Sequence, residues 1–319
     1  MKAGLATARL VTLTLALIGS LGDLLWAQGG AAQYSRQPDV IYGRRAGLAL
    51  TMEVFTPARR NGLGVVWVVS SNGLSSREQT LQPSFERRIS PLLEHGYIVF
   101  GVIHRSSPVF QVQDFVQDVR RAVRFVRHSA ATRDVDRQRL GIAGSSSGGL
   151  VALLVAMDGK DGDRASDDDV ERESGRVQAV GCFFPPTDLM NFGEASQNVV
   201  DLMQQQSGTV DPSFRFYDID AKTGVRTLIT EREDVLRMLR DTSPVTHVSA
   251  DDPPTILIHG DQDRAVPLQQ SRRLTDRLTE AGVTTRLVVR QGKGHAWPGW
   301  EADTALIAEW FDTHLRRGR

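Results

Sequence analysis

Six short stretches limit what this chain can fold into: "GVVWVV" at 64–69, "YIVFGVI" at 97–103, "LGIAG" at 140–144, "VQAVGCFF" at 177–184, "TILIHG" at 255–260 and "TRLVV" at 285–289. Each is brief, rich in Val or Ile, and apolar with little alternation. Such a run has no side to give to water, so it suits a strand covered on both faces of a parallel sheet. Between the runs lie segments with helical spacing. In 113–130, Phe115, Val119, Ala122 and Val126 share one side with Val116 and Val123 beside them, while Asp118, Arg121 and Arg124 take the other. That pattern predicts a surface helix packed on a sheet. Segments 268–281 (Leu274, Leu278, Ala281) and 302–315 (Leu306, Trp310, Leu315) read the same way. Strands alternating with amphipathic helices predict an α/β architecture, a mostly parallel, doubly wound sheet flanked by helices. "LALTMEVFTP" at 48–57 alternates apolar and polar residues, as an outer antiparallel strand would.

Three regions depart from this rhythm. Residues 157–174 are charged and glycine-dotted, a solvated loop whose acids do not have calcium-loop spacing. "DIDAKTG" at 218–224 fails the same test, because Lys222 stands where an oxygen ligand is needed. Residues 190–250 lack any parallel-strand signal. A hairpin turning at Lys222–Gly224 and the helix "EREDVLRML" predict an insertion over the sheet edge, a cap or lid. At the N-terminus, Lys2 and Arg9 precede "LVTLTLALIGSLGDLLWA" and then small residues, the pattern of a signal peptide over 1–32. The expectation is a catalytic domain over 33–319, secreted or periplasmic, with no membrane span after cleavage. Cys182 is the single cysteine, so no intrachain disulfide can form, and its apolar setting suits a buried small hydrophobe. Lys plus Arg and Asp plus Glu are 38 each, which gives no charge excess to attract nucleic acid.

The chemistry concentrates in "LGIAGSSSGGLVALLV" at 140–155. Gly144-Ser145-Ser146-Ser147-Gly148 fits Gly-x-Ser-x-Gly, with a strand pattern before it and a helix pattern after it. That context makes a nucleophile elbow with Ser146 at its tip. A phosphate loop would need a lysine that is absent. Ser145 and Ser147 read as small fillers, with the Ser147 N–H facing a developing oxyanion. A serine hydroxyl needs a base, and the base needs an acid to orient it. "TILIHGDQDRAVP" puts Asp261 and Asp263 in the loop after a buried strand; Asp263 is the favoured acid, and Asp261 an alternative suited to capping the turn. In "GKGHAW", His295 alone of seven histidines follows the last strand in a loop ahead of the final helix. His95, His128 and His247 read as surface or cap residues, and His259 as a strand-end residue beside the acid.

Taken together, "GSSSGG", "HGDQDRAVPLQQS" and "GKGHAWPGW" resemble the α/β-hydrolase fold. The likeness is to secreted esterases of the acetylxylan and feruloyl type and to prolyl-oligopeptidase-like hydrolases, and it runs from about Val65 to Leu315. The resemblance implies Ser146 as nucleophile, Asp263 as orienting acid and His295 as general base. It implies a serine hydrolase cleaving carboxylic esters through an acyl-enzyme, with acyl groups on carbohydrates among its substrates and no metal or organic cofactor. Relatives carry His-Gly-Gly-Gly where this chain has "SSNGL" at 70–74, so the oxyanion donors fall to Ser71, Asn72 or Gly73 together with Ser147. Trp297 and Trp300 follow the base and suit either packing of that loop or stacking on substrate, and Arg105, beside His104 and Ser106, suits either a substrate carboxylate or pairing with an acid of the protein. A peptidase using the same residues and a catalytically silent binding protein are the two other functions this pattern admits.

Overall fold

The structure, a computed structural model, describes residues 34–193, 197–220 and 222–316; the segment 1–32, expected to be a signal peptide, lies outside them. The chain opens with β1 (Tyr34–Arg45), β2 (Leu48–Pro57), β3 (Gly64–Val69), α1 (Arg77–Thr80), α2 (Pro83–Glu94), β4 (Ile98–Ile103), α3 (Val112–His128) and α4 (Ala130–Arg133). It continues through β5 (Leu140–Ser145), α5 (Ser147–Met157), β6 (Ala179–Phe183), α6 (Val199–Ser207), β7 (Tyr217–Ile219), β8 (Arg226–Leu228) and α7 (Arg232–Asp241). It closes with β9 (Thr255–Gly260), α8 (Gln269–Glu280), β10 (Thr285–Arg290) and α9 (Thr304–Leu315).

Among the described residues, eight strands form one sheet in the order β1-β2-β4-β3-β5-β6-β9-β10. From β4 to β10 neighbours run parallel, while β1 and β2 add antiparallel pairings. The six apolar runs form β3, β4, β5, β6, β9 and β10. Two expectations need correction. The alternating strand β2 is not outermost, because β1 pairs along its free side and takes the edge. β10 is only half-buried, since it closes the opposite edge and lacks a strand beyond it.

Alternation along β3 shows how the two layers arise. Val66 and Val68 enter the cluster shared with α3, α5 and α8, whereas Val65, Trp67 and Val69 enter the one shared with α2 and α9. Each large apolar side chain buried this way stabilises the fold by about 1.5–3 kcal/mol. α5 has no polar face, and every residue from Gly148 to Met157 is buried. Cys182 packs in the same layer, its thiol near the Gly149 carbonyl.

Helical spacing misjudged two faces. α9 buries Ile307, Ala308, Phe311 and Leu315, leaving Leu306 and Trp310 half-covered. On α3, Asp118 is fully buried rather than solvated, because Arg105 comes in beside it as a partner. The charged loop 157–174 is also less free than expected, since Glu171 binds Arg121 at 2.7 Å and also pairs with Arg124.

Between β6 and β9, α6, the β7–β8 hairpin and α7 gather around Leu189, Phe192, Val199, Phe216 and Leu239. Among the described residues no helix is long and apolar enough to cross a membrane.

The order β4-β3-β5 means that the chain steps one way from β3 to β4 and then back past β3 to β5. At such a reversal the loops leaving the strand ends diverge and open a crevice. The loop after β3 and the turn after β5 both stand there.

Candidate active site

Ser146 sits between β5 and α5 with φ 53° and ψ −124°, a conformation that L residues adopt only under constraint. The constraint is local crowding. A Cβ on Gly144 would lie 2.4 Å from the Gly148 carbonyl oxygen, and one on Gly148 would lie 2.7 Å from the Val68 carbonyl oxygen. Glycine at both positions lets strand and helix meet so closely that the residue between them is held out. The Ser146 N–H donates to the Phe183 carbonyl at 2.9 Å, which fixes the tip to β6.

The structure brings Ser146, His295 and Asp263 into one hydrogen-bonded line. His295 Nε2 is 3.1 Å from Ser146 Oγ, and His295 Nδ1 is 2.7 Å from Asp263 Oδ2. A carboxylate can only accept, so Nδ1 carries the proton and Nε2 offers its lone pair to the hydroxyl. Phe184 packs against the imidazole with ring centroids 4.4 Å apart. Asp263 Oδ1 accepts the N–H groups of Ala265 and Val266, each at 2.9 Å. Burial alone would raise the Asp263 pKa, but hydrogen bonds from His259, His295 and the Val266 N–H outweigh it and hold the carboxyl well below its usual range.

His259 has a larger part here than its place in the sequence suggested. It is fully buried, with Nε2 2.8 Å from the Val266 carbonyl and 3.3 Å from Asp263 Oδ2, while Nδ1 is 2.7 Å from Ser271 Oγ. Because the Val266 carbonyl only accepts, Nε2 bears the proton and Nδ1 takes one from Ser271. The signal available in sequence was a histidine four residues before the acid on a buried strand. Asp261, the other candidate acid, instead caps the turn at Gly292, accepting its N–H at 2.7 Å.

The loop after β3 is a tight hairpin turn. Asn72 and Gly73 have φ 48° and 70°, and Ser71 and Leu74 exchange backbone hydrogen bonds of 2.8 and 2.9 Å across them. Asn-Gly is the pair best suited to two successive left-handed residues. This corrects one expectation: the Ser71 N–H is taken up by Leu74 and is not a free donor. The Gly73 N–H is 3.5 Å from Ser147 Oγ, and that hydroxyl is 3.1 Å from Ser70 Oγ. Ser147 also opens α5, where a backbone N–H has no acceptor within the helix.

Asn72, Gly73, Ser146, Ser147 and His295 line one cavity of about 380 Å³. Much of its wall is apolar, with Phe115 from α3, Leu150 from α5 and Phe192, Met203 and Phe214 from the segment between β6 and β9. A larger surface groove of about 580 Å³ at Asp188, Arg240 and Arg273 is not lined by Ser146, His295 or Asp263.

For Trp297 and Arg105 the structure favours the packing and pairing alternatives over substrate contact. Trp297 is 6% exposed and packs edge-on against Phe184 at 5.9 Å, with Trp300 beside it, so both indoles support the histidine loop from within the core. Arg105 is buried and engaged: Nε lies 2.9 Å from Asp118, a terminal nitrogen lies 3.3 Å from Asp114, and the guanidinium covers Phe110 at 4.6 Å. Its Nε and one terminal nitrogen are committed to these two carboxylates.

Comparison with known proteins agrees with this architecture. A BD-FAE family model matches residues 52–278. Esterase LipQ of Mycobacterium tuberculosis is 24% identical over 250 residues, covering 78% of this chain and 50% of that protein. Esterase LipC of the same organism is 24% identical over 197 residues, covering 60% and 42%. The chain therefore spans half or less of the length of these relatives. Among solved structures, a truncated carbohydrate esterase from gut microbiota superposes with a TM-score of 0.68 at 22% identity, covering 89% of this chain and 99% of that one. Native esterase 2 of Thermogutta terrifontis gives 0.61 at 21% identity, covering 91% and 96%. With a doubly wound sheet, a serine-tipped turn after β5 and a family match across 52–278, the chain belongs to the BD-FAE family of α/β-hydrolases.

Proposed function

We propose that the protein is a serine hydrolase that cleaves carboxylic esters through an acyl-enzyme. The observation that carries this reading is the line Ser146–His295–Asp263 at the mouth of an apolar cavity, with spacings of 3.1 and 2.7 Å. Ser146 Oγ attacks the ester carbonyl as His295 Nε2 takes its proton. Asp263 keeps Nδ1 protonated and stabilises the imidazolium that forms. The oxyanion receives the N–H groups of Ser147 and Gly73, two donors fixed before the reaction begins. Collapse of this intermediate breaks the bond to the alcohol, which leaves with the proton from Nε2. Water then attacks the acyl-enzyme under the same base, releasing the acid and restoring Ser146.

The names of the relatives and structural neighbours, esterases and a carbohydrate esterase, support ester bonds as the target and acyl groups on carbohydrates as a substrate class. The basic, apolar and small-residue order at the N-terminus supports export. The segment 190–250 supplies part of the cavity wall, which supports a cap over the acyl group.

The test is hydrolysis of p-nitrophenyl acetate and butyrate by the wild type and by Ser146→Ala. We expect turnover that falls by about 10⁴-fold or more in the variant, and fluorophosphonate labelling confined to Ser146. A wild type no faster than Ser146→Ala and unlabelled by the probe would overturn the reading. Cleavage of peptide p-nitroanilides in preference to esters would move it to a peptidase.

A further inference from the structure

We infer that Ser213, from the segment between β6 and β9, positions the turn that supplies an oxyanion donor, so that this segment sets the rate of the chemical step as well as the fit of the acyl group. The inference rests on the ester hydrolysis proposed at Ser146. The turn at Asn72 and Gly73 stands beyond the end of β3 and is held from outside. Its Gly73 carbonyl accepts the Ser107 N–H at 3.1 Å, and its Asn72 carbonyl accepts the Ser213 hydroxyl at 3.3 Å.

The second contact bears directly on the donor. The Asn72 carbonyl and the Gly73 N–H belong to one peptide unit, which is planar and trans, so they point in opposite directions from the same rigid plate. A bond that fixes the carbonyl therefore fixes the direction of the N–H. That N–H lies 3.5 Å from Ser147 Oγ, next to the Ser146 tip. Ser213 is itself held: it is 5% exposed, and its N–H donates to Asp211 Oδ1 at 2.8 Å. The approach is close enough to demand glycine, because a Cβ on Gly73 would fall 2.0 Å from Ser213 Oγ. Asp211, Ser213 and Phe214 also line the cavity beside Ser146. One short turn thus touches both the space for substrate and the back of the oxyanion donor.

The experiment compares Ser213→Ala, Gly73→Ala and the double variant with wild type, measuring kcat and KM for p-nitrophenyl butyrate and Tm for each. Ser213→Ala is expected to lower kcat by roughly three- to ten-fold, the worth of one neutral hydrogen bond, with KM changed less than two-fold. Gly73→Ala should lower kcat by about 10²–10³-fold, as for a misdirected oxyanion donor. In the double variant the loss should be smaller than the product of the single losses. Without Oγ, the nearest part of residue 213 to the new methyl is its Cβ at 3.1 Å. A Ser213→Ala variant that folds and keeps wild-type kcat overturns the inference, as do single losses that multiply in the double variant. If Ser213→Ala does not fold, Ser213→Gly, which also removes the hydroxyl, decides: a fall in kcat at unchanged KM supports the inference, and an unchanged kcat removes it. A wild type without Ser146-dependent turnover would instead defeat the hydrolase reading, a distinct result.

Discussion

At the scale of single residues, Asp263 is the most constrained group in the site. Both of its oxygens are occupied, Oδ1 by two backbone N–H groups and Oδ2 by His295 and His259. Replacing it with Asn would put an NH₂ or a neutral carbonyl where Nδ1 now donates, and the imidazole would lose the tautomer that leaves Nε2 free. We expect Asp263→Asn to lower kcat by about 10³–10⁴-fold on p-nitrophenyl butyrate, with a small change in KM and a folded protein by circular dichroism. Ser146, Asp263 and His295 can be picked out of the sequence because each sits in a loop directly after an apolar run, where strand ends converge. The donors are harder to read. Which N–H of "SSNGL" can turn to an oxyanion depends on the hydrogen bonds closing the turn, which consume Ser71 and leave Gly73 with only a long 3.5 Å bond to Ser147 Oγ. Ser213 lies 140 residues from Gly73 in the chain, and nothing local marks it.

At the scale of elements, the interior strands and the edge strand β10 were legible, and the opposite edge was not. β3, β5 and β6 are apolar on both sides because helices cover both sides. β1, "YSRQPDVIYGRR", carries no such run: it is an edge strand with two irregularities in its pairing and a proline inside it. α3 shows a different limit. Periodicity assigns Asp118 to the polar side, yet the loop after β4 delivers Arg105 against it, with bonds to both carboxylate oxygens and a backbone N–H at 3.0 Å. A pattern taken from one helix cannot see a partner on another element. Removing Asp118 leaves the buried Arg105 only its 3.3 Å contact with Asp114, and breaking such a pair costs about 3–5 kcal/mol. We therefore expect Asp118→Ala to lower the stability measured by urea unfolding by that amount. Joint replacement of Asp118 and Arg105 by apolar residues should recover much of it. Equal losses for the single and double variants would show that the pair does not act as one unit.

For the whole molecule, His104 and Asp263 both cost stability in acid, but in different pH windows. The sequence places His104 with Arg105 at the rim of the site, but the structure buries it beneath, stacked on Phe115 at 4.4 Å with Nδ1–H donating to the Arg105 carbonyl and Nε2 unpartnered. Burial, aided by the Arg105 charge and opposed by that hydrogen bond, pushes its pKa down from 6.5 to about 4. An unfolded chain takes up this proton near the ordinary value, so between about pH 6.5 and 4 it binds a proton that the native state refuses. Stability must then fall as pH drops through that window, by about 1.4 kcal/mol per unit and on the order of 3 kcal/mol in all. Asp263 acts lower down. Its native pKa lies below the ordinary carboxylate value, so the stability it adds is present above about pH 4 and is lost only as pH falls further. The two windows separate, and one substitution can tell them apart. His104→Gln keeps a donor for the Arg105 carbonyl but cannot titrate, so Tm should change much less between pH 7 and 4.5 than in wild type, while the decline below pH 4 remains. A variant whose Tm falls across the upper window as steeply as wild type would assign that slope to other groups and leave His104 a neutral packing residue.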